Sequence, residues 1–458
     1  MAKKTQKNPA RPPAFDAGMV ARHNAPLIGV ASLMRRALAG EDLDAIGQVL
    51  LERAQAYPND AHAYLDLSTV LQLTGNREDA LAVQAEAIML RQHYTIAAQR
   101  QPALTLLVLM GPGDLMANTP VELLVENSDV TLELLYLCAG EDFPEQVPEH
   151  DVMLVAVAGS EANQVLLKRL TEYTSEWLRP VINCPGQILG LSLDRVGAIL
   201  DSLPGVTMPL SVRTGLGALN SIASGVLPIQ SLLPDGGFPF LVRALAAHVG
   251  ANPQKIDTPA ALANYLKGAE GPYFYVSRFI DYRSEDQLFR RYRIALLEGQ
   301  PYLCDYTVSP RWPGRAEARR MSASAVAGVD AGFALRHKAT LQAIAQRLGL
   351  SCLGVDCAEM PNGDLLILEV DNAMIGPAMD GHSAVVNSLP DTLSGALCQA
   401  FRKLLARTSG SVNQQFLQRG RRVGVEFDDC GGAGAVGRAF DQDCGQHAFQ
   451  VQRDASFR

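Results

Sequence analysis

Residues 352–371 read CLGVDCAEMPNGDLLILEVD, and this stretch decides the fold of the second half of the chain. Two apolar runs flank Asn362-Gly363, a dipeptide that favours a tight turn between antiparallel strands. The resulting hairpin places Asp356 opposite Glu369. Because alternate residues of a strand share a face, Asp371 lies on the same side as Glu369. The sequence therefore predicts three carboxylates at the end of one strand pair.

These carboxylates predict a metal site. Three converging negative charges repel one another unless a cation lies among them. Hard oxygen ligands suit Mg²⁺, which keeps coordination positions open for nucleotide phosphates. We therefore expect Asp356, Glu369 and Asp371 to bind Mg²⁺, with Mn²⁺ as the alternative ion. A solvated strand end that is acidic by chance is the competing interpretation.

Three arginines occupy positions suited to anions. Arg195 lies near the start of a predicted helix, Arg243 ends an apolar strand, and Arg293 begins another. A guanidinium group binds phosphate oxygens in a bidentate manner. Each arginine alone is equally compatible with a surface or structural role. A further apolar strand, Tyr273–Ile280, leads into Asp281 and could seat an adenine against its backbone, with the acid on a ribose hydroxyl.

Composition narrows the class of protein. The chain has 458 residues, 48% hydrophobic and 19% charged, which is ordinary for a globular protein of several domains. Its net charge of −8 argues against a general nucleic-acid partner. No apolar run approaches the length of a membrane span, and no apolar segment follows the basic N-terminus as in a secretory signal. The eight cysteines form no CxxC pair, so buried thiols in a reducing cytoplasm are expected.

The periodicity of apolar residues divides the chain into five parts. We expect a mobile tail over residues 1–25, helices over 26–100, and a loosely ordered tail over 409–458. Between them, short apolar strands alternating with helices predict an α/β domain with a parallel sheet over 101–188 and a second α/β domain over 189–408.

Gly111-Pro-Gly113 lacks the third glycine and the later acid of a dinucleotide-binding loop, which argues against a nicotinamide site.

The helical part resembles a tetratricopeptide repeat together with part of a preceding one. One and a half repeats are too few for a long peptide groove, so the resemblance favours docking to a partner protein or formation of a homodimer. An ordinary helical hairpin is the alternative. Gln84 departs from the pattern, since a bulky apolar residue is usual there. The positions that match are Tyr64, Leu67, Ser68, Leu71, Gly75, Ala80 and Ala87.

The order of these features over about residues 180–385 resembles the ATP-grasp superfamily, especially ribosomal-protein glutamate ligases and D-alanine–D-alanine ligase. Leu368-Glu-Val-Asp371 is similar to the Glu-x-Asn metal motif of that family, so either Asp371 or Asn372 takes the third ligand position. The family usually has lysine where this chain has Arg195 and Arg243. The domain over 101–188 resembles the domain that precedes the ATP-grasp core.

The resemblance implies an ADP-forming carboxylate–amine ligase that works through an acylphosphate on a peptide or amino-acid-like substrate. It also implies a role for each residue. Arg195 and Arg243 would hold the ATP phosphates, Phe279 and Ile280 would line the adenine pocket, and Asp281 would bind the ribose. Arg293 would be catalytic, stabilising the acylphosphate. Arg311 or Arg315 could bind the substrate carboxylate, and His382 could accept the proton of the amine.

Two other functions fit the same features. The first is a non-catalytic adaptor that senses nucleotide and binds a partner through its helices. The second is a kinase that stops after phosphorylation. Formation of ADP, and its dependence on an amine, separates the three.

Overall fold

Helices and strands alternate through most of the chain. The predicted α/β class is confirmed, with an all-α region at its N-terminal side. The computed structural model describes residues 16–144, 146–245, 253–269, 271–312, 319–320, 331–375, 378–380, 383–385 and 391–411, all within one unit, residues 1–413. Within these residues the helices are α1 Ala17–Val20, α2 Val30–Leu38, α3 Leu43–Ala56, α4 Ala61–Leu73, α5 Arg77–Leu90, α6 Val121–Val125, α7 Gln164–Ser175, α8 Pro185–Ile188, α9 Leu193–Leu200, α10 Leu216–Ala223, α11 Pro259–Gly268, α12 Ala331–Arg336, α13 Lys338–Leu348 and α14 Asp391–Thr408. The strands are β1 His93–Ile96, β2 Leu104–Met110, β3 Val130–Tyr136, β4 Val152–Val155, β5 Val181–Ile182, β6 Val206–Thr207, β7 Ser211–Gly215, β8 Phe240–Ala244, β9 Gln254–Ile256, β10 Tyr273–Arg278, β11 Phe289–Leu297, β12 Gln300–Ser309, β13 Arg319–Arg320, β14 Cys352–Glu359, β15 Leu365–Asp371, β16 Ala378–Asp380 and β17 Ser383–Val385. None of the helices in these ranges combines the length and apolar character that crossing a bilayer requires.

Acidic residues set the starts of the N-terminal helices. Asp42 accepts a hydrogen bond from the amide of Ala45 at the start of α3, and Asp60 accepts one from Ala63 at the start of α4. Such a side chain satisfies an amide that the first helical turn leaves unbonded. Helix α4 packs against both α3 and α5. The helices predicted here are therefore present, and their assignment to a tetratricopeptide repeat stays a prediction.

The structure differs from the predicted N-terminal tail over its last ten residues. Helix α1 begins at an Asp16 cap, and Val20 is buried. The amide of Asn24 donates to Oδ2 of Asp60, 2.9 Å away, and Asp60 also binds the buried Arg53 at 2.8 Å. These partners are distant in sequence, so local composition could not show them. Residues 1–15 and 412–458, also predicted as tails, lie outside the described residues.

The helical region ends earlier than predicted. Helix α5 ends at Leu90, and strand β1 then pairs antiparallel with β3. Tyr94 in β1 is buried, and its hydroxyl donates to the carbonyl of Ala87 at 2.8 Å. Aromatic and β-branched residues in β1 favour a strand over a continued helix.

The first sheet has the strand order β1-β3-β2-β4-β5, and every pair except β1–β3 is parallel. Parallel strands are buried on both faces, which explains their continuous apolar sequences. Leu106 to Leu109 of the central strand are all fully buried.

The helical region is fixed to this sheet through the loop that follows β2. Gln84 Nε2 donates to the carbonyl of Gly113 at 2.9 Å, and Gln84 Oε1 accepts from the backbone amide of Gly113 at 2.7 Å. Gln72 Oε1 accepts from the amide of Leu115 at 2.7 Å. The polar Gln84, unusual for the repeat pattern, thus binds this chain's own loop.

Besides the short β16–β17 pair, two larger sheets lie in the second α/β part. One is antiparallel, in the order β7-β10-β8-β9. The other has the order β13-β12-β11-β14-β15-β6 and is antiparallel except for the short β15–β6 pair. Strand β8 of the first carries Arg243, and strands β11, β14 and β15 of the second carry Arg293 and the predicted acids. The candidate site is therefore built from both sheets.

Candidate functional site

The hairpin predicted from residues 352–371 is present and has the predicted register. Asp356 of β14 lies opposite Glu369 of β15, and Gly354 lies opposite Asp371. The turn includes Gly363, whose φ of 85° lies in the left-handed region that glycine adopts without strain. The three carboxylates are thus carried by neighbouring strands, as the sequence indicated.

Arginines of the adjacent strand β11 bind two of these carboxylates. Arg293 is paired with Asp356 in the strand register, and its Nη1 and Nη2 donate to the two oxygens of Asp371 at 2.7 and 2.6 Å. Its Nε donates to the carbonyl of Met374 at 3.1 Å. Arg291, two residues earlier, forms an ion pair with Asp356. Arg293 also lies 3.4 Å from Asp356, so the two arginines share that carboxylate.

A third arginine reaches the acids from the four-stranded sheet. Nη1 of Arg243 on β8 lies 2.8 Å from Oε1 of Glu369. Both side chains are largely buried, with 19% and 16% of their surface exposed. This ion pair connects the two sheets, and it places the guanidinium of Arg243 at the boundary between them.

The charges of this cluster stabilise one another. Burial alone would raise the pKa of Asp356, but Arg291 and Arg293 outweigh it and hold that pKa below its ordinary value. Burial likewise works against charged Arg293, yet the attraction of Asp371 and Asp356 raises its pKa above the usual value. Asp356 and Arg293 are therefore both charged at neutral pH.

An arginine binds each of the three acids that the sequence predicts as magnesium ligands. In the described part of the chain, no group of three or more His, Cys, Asp or Glu side chains is arranged to hold a metal ion. Guanidinium groups balance the negative charge of the acids, which the sequence predicts Mg²⁺ to balance. The metal assignment of Asp356, Glu369 and Asp371 stays a prediction.

Asn372, the alternative third ligand, has a different role in this arrangement. Its side chain is fully buried, donates to the carbonyl of Val157 at 3.0 Å and accepts from the amide of Gly159 at 3.2 Å. Its own carbonyl accepts from the hydroxyl of Thr119 at 2.8 Å. Asn372 thus ties the end of β15 to the five-stranded sheet.

A cavity of about 740 Å³ lies beside the Arg243–Glu369 pair. Two cations, Arg243 and Arg291, line it together with the polar side chains of Tyr275 and Ser277. The rest of its wall is largely apolar, and includes Leu193, Met208, Leu241, Trp312, Ile367 and Leu368. Small-molecule sites commonly combine apolar walls with a few polar groups in this way. We call this cavity the arginine cleft.

Two of the predicted nucleotide ligands, Arg195 and Asp281, do not line the arginine cleft. Arg195 is exposed and donates to the carbonyl of Leu189 at 3.3 Å. Asp281 forms hydrogen bonds with Arg283, two residues along the chain. Neither residue is among those that line the cleft.

Phe279 and Ile280 contact the cleft wall indirectly. Phe279 meets Trp312 edge to face, with ring centroids 5.0 Å apart, and Trp312 lines the cleft. Both residues pack against a small cluster around Tyr282. Lys255 Nζ lies 4.6 Å from the centroid of the Phe279 ring, a cation–π distance.

The predicted substrate residues are only partly described. Arg311 is exposed just after β12, and its backbone amide donates to the hydroxyl of Ser309 at 3.2 Å. Arg315 and His382 lie outside the described residues. Their assignment stays a prediction.

Arg291 is the functional candidate that the sequence analysis missed. The signal was its spacing: Arg291 and Arg293 are two residues apart, and such residues share one face of a strand. Tyr275 and Ser277 on β10 follow the same rule and line the same cleft. The separation of Arg243 from Glu369, 126 residues, left no comparable signal for that pair.

No protein-family model matches this sequence, and a search of curated proteins finds no match. Solved structures are similar in part. A RimK-domain ATP-grasp protein from Sphaerobacter thermophilus matches with 15% identity and a TM-score of 0.39, covering 66% of this chain and 99% of that one. D-alanine–D-alanine ligase from Bacillus anthracis matches with 14% identity and a TM-score of 0.41, covering 67% and 97%. The VanG D-Ala:D-Ser ligase from Enterococcus faecalis matches with 15% identity and a TM-score of 0.42, covering 67% and 99%.

Proposed function

We propose that this protein is an ATP-dependent carboxylate–amine ligase that binds ATP in the arginine cleft. The observation that carries the proposal is the meeting of Arg243 and Arg291 in one cavity, since the two cations come from different sheets. Cations held on rigid strands at a cleft suit the oxygens of a triphosphate.

The rest of the cleft suits a nucleoside. Trp312 offers an aromatic surface, and Met208 and Leu193 offer apolar contact for a purine. Ser277 and Tyr275 add hydroxyl groups that can bind a ribose or phosphate oxygen.

The proposed reaction has two steps. A carboxylate oxygen of the substrate bonds to the γ-phosphorus of ATP as the bond to the β–γ bridging oxygen breaks, and ADP leaves. The nitrogen of an amine then bonds to the acyl carbon, inorganic phosphate leaves, and the amine loses a proton to solvent. Arg243 and Arg291 would stabilise charge on the phosphates during the first step. A peptide or an amino-acid-like compound is the substrate class we favour.

Glu369 would orient Arg243 in this scheme, because its carboxylate holds the guanidinium at 2.8 Å. Arg293 would keep Asp371 and Asp356 in place beside Arg291. The predicted catalytic role of Arg293 requires contact with the acylphosphate, and this role stays a prediction.

The experiment is a turnover assay with trapping. The protein is incubated with ATP, Mg²⁺, a panel of amino acids and peptides, and hydroxylamine, which converts an acylphosphate into a stable hydroxamate. We expect ADP and hydroxamate together. Glu369→Gln should lower ADP formation by about tenfold or more, since displaced catalytic groups lose rate steeply. The control is Glu359→Gln, which removes a charge from the same strand pair where Glu359 binds the more exposed Arg336. ADP formation equal in both variants would refute the site assignment.

One observation favours a second function, that of a non-catalytic nucleotide sensor. Each predicted metal-ligating carboxylate is already bound by an arginine, which leaves the cluster charge-balanced. A sensor of this kind would bind ATP in the same cleft and release neither ADP nor hydroxamate across the panel.

A further inference from the structure

A second cavity, of about 670 Å³, lies between the N-terminal helices and the five-stranded sheet. It shares no lining residue with the arginine cleft. Its polar lining includes Asp66 and Gln72 on α4, Glu122 on α6, and Tyr136 at the end of β3. Thr69, Gln84, Asp114, Asn118 and Thr119 also line it. We call it the junction cavity.

Two hydrogen-bond donors in the junction cavity have nothing to bind within the described residues. Tyr136 is 5% exposed, and its hydroxyl forms no hydrogen bond there, whereas the hydroxyl of the neighbouring Tyr94 donates to Ala87. Gln72 is 3% exposed; its Oε1 accepts from Leu115, and its Nε2 is left without an acceptor in the same part of the chain. Both residues line the junction cavity, so an acceptor held in the cavity would complete their hydrogen bonds.

Two carboxylates lie in the same cavity without a cationic partner in the described ranges. Asp66 accepts from the amides of Ile28 and Gly29 at 2.8 and 3.0 Å, and Glu122 accepts from Ala31 at 3.0 Å. Together they bind the start of α2. A carboxylate has about four lone-pair sites, so each retains capacity for a further donor. Burial raises the pKa of both groups to about 7, and the charge of Arg53 offsets only part of this rise at Asp66.

We propose that the junction cavity binds a free α-amino acid. Its ammonium group lies against Asp66 and Glu122, and its carboxylate accepts hydrogen bonds from Gln72 and Tyr136. A zwitterion satisfies both sets of groups at once and adds no net charge to a buried site. A simple amine would leave the two donors unbound, and a simple carboxylate would lie against the acids. This proposal is independent of the ligase function, because it involves neither nucleotide nor the arginine cleft.

The test measures melting temperature in the absence of nucleotide. A ligand that binds only the folded protein raises its melting temperature. We expect at least one of the twenty common amino acids, at millimolar concentration, to do so, and ethanolamine and acetate to do so far less. Failure of all twenty, or an equal effect of ethanolamine, overturns the proposal.

Matched tyrosine variants separate binding from stability. Tyr136→Phe removes a hydroxyl that has no described partner, so the ligand-free melting temperature should stay unchanged while affinity for the amino acid falls about tenfold or more. Tyr94→Phe removes a hydroxyl bound to Ala87, so the ligand-free melting temperature should fall and the affinity stay unchanged. Undiminished affinity in Tyr136→Phe refutes the placement of the ligand.

Discussion

Replacing Arg293 by methionine removes the guanidinium that holds the acid cluster together. The side chain makes two charged hydrogen bonds to Asp371, at 2.7 and 2.6 Å, and one to the carbonyl of Met374 at 3.1 Å. Only 16% of Arg293 and 15% of Asp371 is exposed. Removing one partner of a buried ion pair leaves the other charge uncompensated, which costs about 3–5 kcal/mol. We expect Arg293→Met to lower the free energy of unfolding by that amount.

Urea unfolding followed by circular dichroism measures the loss, and an exposed ion pair provides the control. Arg407 binds Glu298 with 64% and 46% of the side chains exposed, so Arg407→Met should cost only about 0.2–1 kcal/mol. The loss of unfolding free energy in Asp371→Asn should lie between those of the two arginine variants. The amide oxygen of Asn still accepts from Arg293, and Asp356 remains 3.4 Å from Arg293. A loss in Arg293→Met no larger than in Arg407→Met would refute the claim that this cluster is a buried, mutually stabilised unit.

Two further predictions concern the helical region. Asp66 has a pKa of about 7 in the fold against 3.8 ordinarily, so the folded protein binds more protons between these values, and stability falls as pH rises from 3.8 to about 7. Asp66→Asn should flatten the decline in unfolding free energy below about pH 7 in a urea series, and an unchanged slope would contradict the assigned burial. Gln84→Leu leaves the amide and carbonyl of Gly113 without their partner, at about 1–3 kcal/mol, and should speed hydrogen exchange of that amide. Leucine at the exposed Gln48 is the control, and equal exchange in both variants would count against the docking role of Gln84.

The acid hairpin could be predicted because its signals are local. Asn362-Gly363 fixes the turn, and strand periodicity then determines which residues face Asp356. The parallel strands of the first sheet were equally predictable, since buried parallel strands are apolar throughout. These features depend on residues that are close in sequence.

The partners of the acids could not be predicted in the same way. Arg243 meets Glu369 only because two separate sheets come together, and Gln84 meets Gly113 only because the helices pack on the first sheet. From the sequence alone, a metal ion was therefore expected to balance the charge of the acids, whereas the structure places arginines beside them. The unusual glutamine was visible in the sequence, but its purpose became clear only from its hydrogen bonds.

The central claim, that the arginine cleft binds ATP, is tested most directly by calorimetric titration of the wild-type protein and two arginine variants with ATP. Arg243→Met removes a cation that lines the cleft, and Arg213→Met removes one from the neighbouring strand β7, where Arg213 binds Glu161 instead. We predict saturable binding to wild type, affinity at least about tenfold weaker in Arg243→Met, since a charged hydrogen bond contributes ~1.5–3 kcal/mol, and unchanged affinity in Arg213→Met. Absence of binding to wild type at millimolar ATP, or equal affinity in all three proteins, would contradict the account.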